Sequence, residues 1–450
     1  MLKRRIAMMG GALLGIGCGG GGPLAPGQGG TGPMFDENVS ALSAAVTVAA
    51  PHVMPTVQAA GAARASSVAV PAASPNGIDY HGGPVIRTPT VFYIWYGGWN
   101  NNDAPTILED LARNIGGSPY FDINASYGDS TGQIANSVVF GGSTRPGYSH
   151  GTSLNDGLIE QIVADALTSG SLPISANGVY FVMTSADVTM PGFCTEFCGW
   201  HTFAPIAGTT IKFAFVGNPD VCPDACPEQP TSPNGNRAAD TMASVVAHEL
   251  DEAASDPNLN AWFSGSSPED NENADKCVWY FGQTYQVPIQ PVLTTGAAVT
   301  IPQPTATANT HLGNRDYLIQ TNWLNANGGG CSNGVRQLRV DVTGGGTATV
   351  TSQPARVSCG GANCLSYFDP GAAVTLTATV APGSLFRGWS GCDSVSGQTC
   401  YLNMGSNRAV IARAAPVCNQ SCYKSCLSSC EKDGGLARIC IPECGADCGC

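Results

Sequence analysis

Apolar positions along this chain follow two periods, and the change between them marks its parts. Thr90-Val91-Phe92-Tyr93-Ile94-Trp95-Tyr96 is an unbroken β-branched and aromatic run, which predicts a buried strand. Val179 to Met183 and Ile211 to Val216 read the same way. Between them the spacing lengthens to that of a helix. Ile107, Leu108, Leu111 and Ile115 share one face of a helix over 104–115. Leu158, Ile159, Ile162, Val163 and Ala166 do so over 153–169. A third amphipathic run carries Ala239, Met242, Val245, Val246, Leu250 and Ala253. Asn236 can cap its start, Asp240 suits the positive end of its dipole, and Pro257 stops it. Strands alternating with helices imply an α/β layer around a mostly buried sheet. From Val335 the period drops to two, with Leu338-x-Val340-x-Val342 and Val374-x-Leu376-x-Ala378 as short strands between Gly and Pro turns.

The N-terminus precedes any such pattern. Lys3-Arg4-Arg5 and the short apolar stretch after it read as an export signal, too short to span a bilayer. Leu14-Gly15-Ile16-Gly17-Cys18 resembles a bacterial lipoprotein cleavage site and makes Cys18 the candidate for lipidation; plain secretion is the alternative. Residues 19–78 read as a flexible linker, rich in Gly and Pro and then in Ala, Val, Ser and Pro. The main domain is assigned to 79–334, a β-module to 335–416 and a Cys-rich tail to 417–450.

Composition fits export. Charged residues are 12% of the chain, about half the usual share, and 57 residues are Gly. A net charge of -13 argues against nucleic acid or an anionic membrane as partner. Of the 19 cysteines, Cys18 leaves an even number. They fall in close pairs, Cys194/Cys198, Cys222/Cys226, Cys359/Cys364 and Cys392/Cys400, with Cys277 and Cys331 as a longer-range pair. In an exported chain these are disulfide candidates, the first four stapling loops around the Ile211 strand. A metal knot with His201 is the competing reading. In the tail, Cys418, Cys422, Cys426 and Cys430 share a helical face, and Cys440, Cys444, Cys448 and Cys450 follow. Stapled helices are favoured there over an all-thiolate zinc site.

Candidate chemistry sits on the third helix, in His248-Glu249-Leu250-Asp251-Glu252. A His and a carboxylate at i and i+4 project side by side and can reach one cation. Glu249 points into the apolar stripe, where burial raises a carboxylate pKa and suits a general base. His248 and Glu252 are therefore candidate metal ligands and Glu249 the candidate catalytic base. The zinc-protease pattern H-E-x-x-H has Glu252 in place of its second His. Glu272 and Asp275 lie at loop distance for a third ligand or an acceptor orienting His248. A surface helix with an acidic edge, followed by a solvated acidic turn, is the competing reading.

Several ordered motifs carry a family resemblance: Tyr80-His81-x-Gly83-Pro84, Tyr93 to Gly97, Gly178-Val179-Tyr180 with Thr184-Ser185-x-Asp187-Val188, and Phe193-Cys194-x3-Cys198-Gly199-x-His201. Val216-Gly217-Asn218, Cys222-Pro223-x2-Cys226 and Pro233 to Asn236 continue them. Together they resemble the phosphate-induced, EXORDIUM-type family, known from plant extracellular proteins linked to growth. His248 to Ala253, Asp256-Pro257 and Glu272 to Cys277 resemble its bacterial relatives, which look zincin-like. Ala373 to Asp393 is similar to a small bacterial cell-surface β-repeat. The resemblance implies an α/β, zincin-like mixed-sheet main domain, then a small all-β repeat module and a disulfide-rich tail. The function expected is an exported metal-dependent hydrolase, peptidase-like, with Zn2+ as cofactor. The alternative is a non-catalytic extracellular binding or signalling protein with a structural Ca2+. The expected partner is an extracellular protein, peptide or cell-wall ligand, and the chain is expected to be a monomer.

Overall fold

The computed structural model describes residues 49–66, 76–226, 229–265, 271–289, 304–417, 420–432 and 441. Cys18 and the export signal lie outside them. The main domain is built on a six-stranded sheet. Its strands are β1 (His52–Pro55), β2 (Thr90–Tyr96), β3 (Val139–Gly147), β4 (Gly178–Thr184), β5 (Phe197–Ile206) and β6 (Thr209–Val216). The order across the sheet is β1-β5-β6-β4-β2-β3. β3, β2, β4 and β6 are parallel, while β5 and β1 close one side antiparallel. The sheet is therefore mixed, and the apolar runs form its centre. Every residue of β4 is buried, as are Val91 to Tyr96 of β2.

The helices are α1 (Val57–Ser66), α2 (Ala104–Asn114), α3 (Asp156–Thr168), α4 (Arg237–Ser255) and α5 (Gln420–Lys432). α2 buries Ile107, Leu108 and Leu111, the face its spacing predicts. α3 buries Ile159, Ile162, Val163 and Ala166, with Leu158 only half-buried. α4 is the site helix. The Asn236 side chain accepts from the Ala239 amide at its start, and Asp256 ends it just before Pro257. Residues Ala238 to Ser255 are all buried, so α4 is a core helix rather than a surface one.

Two readings are corrected here. Part of the stretch assigned to a linker is structured: β1 pairs with β5, His52 opposite His201, and α1 follows it. Four residues of mixed character carry too little periodicity to announce a strand; the partner supplies the order. The loop cysteines also pair differently. Cys194 bonds Cys222 and Cys198 bonds Cys226, so the bridges cross between segments instead of closing within each. Cys198 lies in β5, and β5 with β6 forms a hairpin that brings its two ends together. Cys277–Cys331, Cys359–Cys364 and Cys392–Cys400 pair as expected.

The β-module has a four-stranded and a five-stranded sheet around Leu338, Val340, Val350, Leu376, Val410 and Ala412. It joins the main domain through a small cluster of Ile123, Ala125, Leu324, Val335 and Tyr367, and the Tyr367 hydroxyl donates to the Ala125 carbonyl at 2.5 Å. On α5, Cys422, Cys426 and Cys430 are disulfide-bonded. The second tail helix lies outside the described residues. No helix among the described residues is long and apolar enough to cross a membrane. Disulfides in such number belong to a chain folded in an oxidising compartment.

Candidate metal centre

The buried face of α4 meets the β1–β5 edge of the sheet, and ionisable side chains converge there. His248, Glu249 and Glu252 come from α4, His201 from β5, His52 from β1, and Glu272 and Asp275 from the segment before Cys277. Three reasons in the sequence put them together. Strand pairing sets His52 across from His201. Helical spacing puts His248 and Glu252 on one side of α4. The Cys277–Cys331 bridge ties down the acidic segment.

The contacts are close and mutual. His248 Nε2 lies 3.0 Å from Glu252 Oε1 and 3.5 Å from Asp275 Oδ1. His201 Nδ1 lies 3.3 Å from Glu249 Oε2 and 3.4 Å from Glu252 Oε2. His52 Nδ1 lies 3.5 Å from Glu252 Oε2 and 3.6 Å from Glu272 Oε1, and its Nε2 is 3.4 Å from Asp275 Oδ2. His201 is 1% exposed and His248, Glu249, Glu252 and Glu272 are 0%, while His52 and Asp275 reach only 8% and 10%. Glu272 thus belongs to no solvated acidic turn.

Supporting residues hold the cluster in place. The Gln320 amide lies 2.7 Å from His248 Nδ1 and 3.1 Å from the Ala274 carbonyl, and its backbone N–H donates to Ser244 Oγ. The Asp275 N–H donates to Glu252 Oε1 at 3.2 Å. Tyr120 and Asn124 donate to the Asp251 carboxylate, three residues on from His248. Asp256 accepts from the Asn260 and Ala261 amides, fixing the turn after the helix.

Burial is the first physical fact about these charges. It works to lower the imidazole pKa values, but the carboxylates around them prevail. His52 is raised chiefly by Asp275 and Glu252, His201 is pushed up to about 9 by Glu249 and Glu252, and His248 rises well above its usual value beside Glu252 and Asp275. Burial and neighbouring carboxylates push Glu272 well up, and burial raises Glu249. Glu252, despite burial, is held well below the usual range by His248, His201 and His52. These shifts are what charges do when they have only one another for company in a low dielectric; a cation could take the place of the protons.

Unpartnered atoms make the same point. His52 Nδ1, His201 Nε2, His248 Nε2, Glu249 Oε1, Glu252 Oε2 and both Glu272 oxygens are buried without a hydrogen bond. Such orphans are rare and costly, on the order of 1–3 kcal/mol each and more when charged. Two donor groups have ligand atoms within 4.8 Å of one another: His52, His201 and Glu252, and His248, Glu249 and Glu252. The donor set fits a metal, and three imidazoles suit zinc or another transition cation better than calcium, which takes oxygen ligands.

Sequence reasoning put His248, Glu249, Glu252, Glu272 and Asp275 in the site, and the structure brings all five together. Glu249 lies nearer the proposed ligands than its place in the apolar stripe suggested. His52 was missed and His201 given little weight. The alternation Phe197-x-Gly199-x-His201-x-Phe203 was the available signal for His201, since it marks a strand with His201 on one face. For His52 no local signal exists. A separate cavity of about 830 Å³, lined by Arg113, Arg145 and Arg315 among others, includes none of these seven residues.

Comparison with known proteins places residues 78–332 in the phosphate-induced protein 1 conserved region, and residues 337–415 match a divergent InlB B-repeat domain. The chain is 34% identical over 236 residues to protein EXORDIUM-like 5 of Arabidopsis thaliana, covering 46% of this chain and 65% of that one. It is 36% identical over 234 residues to EXORDIUM-like 3 of the same plant, covering 46% and 69%. With protein PHOSPHATE-INDUCED 1 of Nicotiana tabacum it shares 30% over 148 residues, covering 29% and 45%. The chain thus spans about two thirds of the length of the first two. No solved structure matches.

Proposed function

Since the chain belongs to the phosphate-induced protein 1 family, we propose that it forms a zincin-like branch of it, an exported metal-dependent hydrolase of peptidase-like type. One observation carries the reading: three imidazoles and four carboxylates converge in the buried core with nitrogen and oxygen atoms left unpartnered. His52, His201, His248, Glu252, Glu272 and Asp275 would hold the cation. The chemistry that zinc supplies in such a setting is Lewis acidity and a water acidified toward neutral pH. Glu249, whose Oε2 faces His201, is the group that would take and pass on a proton. His52 and Asp275, the two more exposed members, mark the side from which a substrate would approach.

A second reading has its own support. Structural metal sites are closed and catalytic ones keep an open position, and this cluster is almost wholly buried. In that case the cation would fix the fold of an extracellular binding protein.

The deciding experiment uses unreduced, unchelated protein. Elemental analysis gives the metal, and a peptide library gives hydrolysis before chelation, after it and after zinc is returned. Zinc-dependent cleavage supports the hydrolase. Bound metal without cleavage on any library leaves the structural reading, and protein purified and reconstituted without metal sinks both. Export with a lipid anchor on Cys18 is the compartment side of the proposal. Cys18→Ala should move the protein from the membrane fraction to the medium; unchanged fractionation refutes the anchor.

A further inference from the structure

The two oxygens of Glu252 face different imidazoles. Oε2 lies 3.5 Å from His52 Nδ1 and 3.4 Å from His201 Nδ1, while Oε1 lies 3.0 Å from His248 Nε2. Asp275 divides in the same way, with Oδ2 at 3.4 Å from His52 Nε2 and Oδ1 at 3.5 Å from His248 Nε2. A single cation chelated by both oxygens would have to draw all three imidazoles around itself, whereas the donors fall into two groups. Two separate donor groups meet the same carboxylate, and Glu252 is the residue they share.

From this we infer that the centre holds two divalent cations bridged by the Glu252 carboxylate. The inference rests on the proposed metal site and adds its nuclearity. One cation takes His52 Nδ1, His201 Nδ1 and Glu252 Oε2, with Glu272 Oε1 beside them at 3.6 Å from His52 Nδ1. The other takes His248 Nε2, Glu252 Oε1 and Asp275 Oδ1, with Glu249, the remaining member of that group, left beside it as the base. The remaining contacts fit as support. His52 Nε2 lies 3.4 Å from Asp275 Oδ2, the side on which a carboxylate orients a metal-bound imidazole.

Charge supports the count. Glu249, Glu252, Glu272 and Asp275 touch the three imidazoles and carry four negative charges when ionised. One divalent cation leaves residual negative charge in the core to be met by protons, and a second divalent cation meets it without them. Asp256 lies beside this group, its Oδ1 accepting from two backbone amides and its Oδ2 buried without a hydrogen bond. Pairs of cations sharing a carboxylate are the arrangement of many hydrolases, in which both sides of a displacement are stabilised.

Chelated, unreduced protein is titrated with Zn2+ and read by native mass spectrometry and elemental analysis. The expected result is two zinc ions per chain. His201→Ala and His248→Ala should each keep one, and Glu252→Ala should keep none. One ion in the wild type overturns the pair and leaves the single-metal proposal standing; none overturns both. Two ions in the wild type with one retained in Glu252→Ala overturns the bridge. Because these variants lie in the core, a measurement on the wild type runs beside them. Loading with Mn2+ should give an exchange-coupled electron paramagnetic resonance spectrum that grows with the second equivalent. An isolated six-line Mn2+ signal at saturation refutes the bridged pair.

Discussion

Gly199 is where the site helix comes closest to the sheet, and adding one methyl group there tests the packing that positions the metal centre. A Cβ built on Gly199 falls 2.4 Å from Val245 Cγ1, 3.0 Å from the Phe215 carbonyl oxygen and 3.1 Å from Glu249 Oε1. Ordinary contact begins at 3.4 Å, so Val245 is too close by a full ångström. The strand cannot yield, since Phe215 belongs to β6 and pairs with Trp200 of β5. Val245 is buried on a helix with no solvent-facing side over Ala238 to Ser255. Either its rotamer is forced or α4 lifts from β5, and overpacking of this kind costs about 1–3 kcal/mol. Val245→Ala alone loses two buried methyl groups, about 2 kcal/mol. In the double variant the added methyl partly fills the space that Cγ1 leaves. Gly199→Ala with Val245→Ala should therefore be about 1–2 kcal/mol more stable than the two single costs predict. Urea denaturation of chelated protein measures this coupling. Gly199→Ala alone should also weaken zinc binding at least about tenfold, because the displaced helix carries His248 and Glu252. Additive costs within about 0.5 kcal/mol, or a neutral Gly199→Ala, would show that the helix does not rest on the sheet as described.

A metal on His248 Nε2 requires Nδ1–H to donate to the Gln320 amide oxygen, so Gln320→Leu, which removes the amide beside Nδ1, should lower zinc affinity about 10–100-fold in isothermal titration while the site keeps its stoichiometry. Unchanged affinity refutes the orienting role. Asp122 is buried at the junction with the β-module, and burial, opposed by Asn407 and Arg336, pushes its carboxyl up to about 6. The folded state therefore holds the proton more tightly than the unfolded one. That stability is present in full below about pH 3.9 and is lost as pH rises through 6. Asp122→Asn should gain about 2–3 kcal/mol relative to the wild type between pH 4 and pH 7 in urea melts. A difference between the two that does not change with pH rules this out.

The parts that were legible in the sequence are those encoded locally. Asn236, Asp240 and Pro257 set the ends of α4 within a few residues of where they act. The i, i+4 spacing put His248 and Glu252 side by side without help from the rest of the chain. What was not legible depends on partners far along the chain. His52 joins the cluster because β5 pairs with β1, and nothing around His52 announces that. The crossed disulfides have the same cause. Equal spacing in Cys194-x3-Cys198 and Cys222-x3-Cys226 allows either connectivity, and the β5–β6 hairpin decides. Glu249 was read from its helix alone, and its neighbour His201 comes from the sheet.

The pairing of β1 with β5 also sets a schedule. His52 is the first donor to be synthesised and Asp275 the last, with every other donor between them. β1 is an edge strand whose only sheet neighbour among the described residues is β5, so His52 has nowhere to dock until His201 has emerged. Contacts of this sequence separation form late in folding. A chain still being made or threaded across a membrane presents isolated imidazoles and carboxylates, each a weak ligand. Capture of the proposed cation would become strong only once all the segments are present and the Cys277–Cys331 bridge has closed over the last of them. Which metal the protein carries would then be decided by what is available where folding finishes, and not by what the ribosome's surroundings contain.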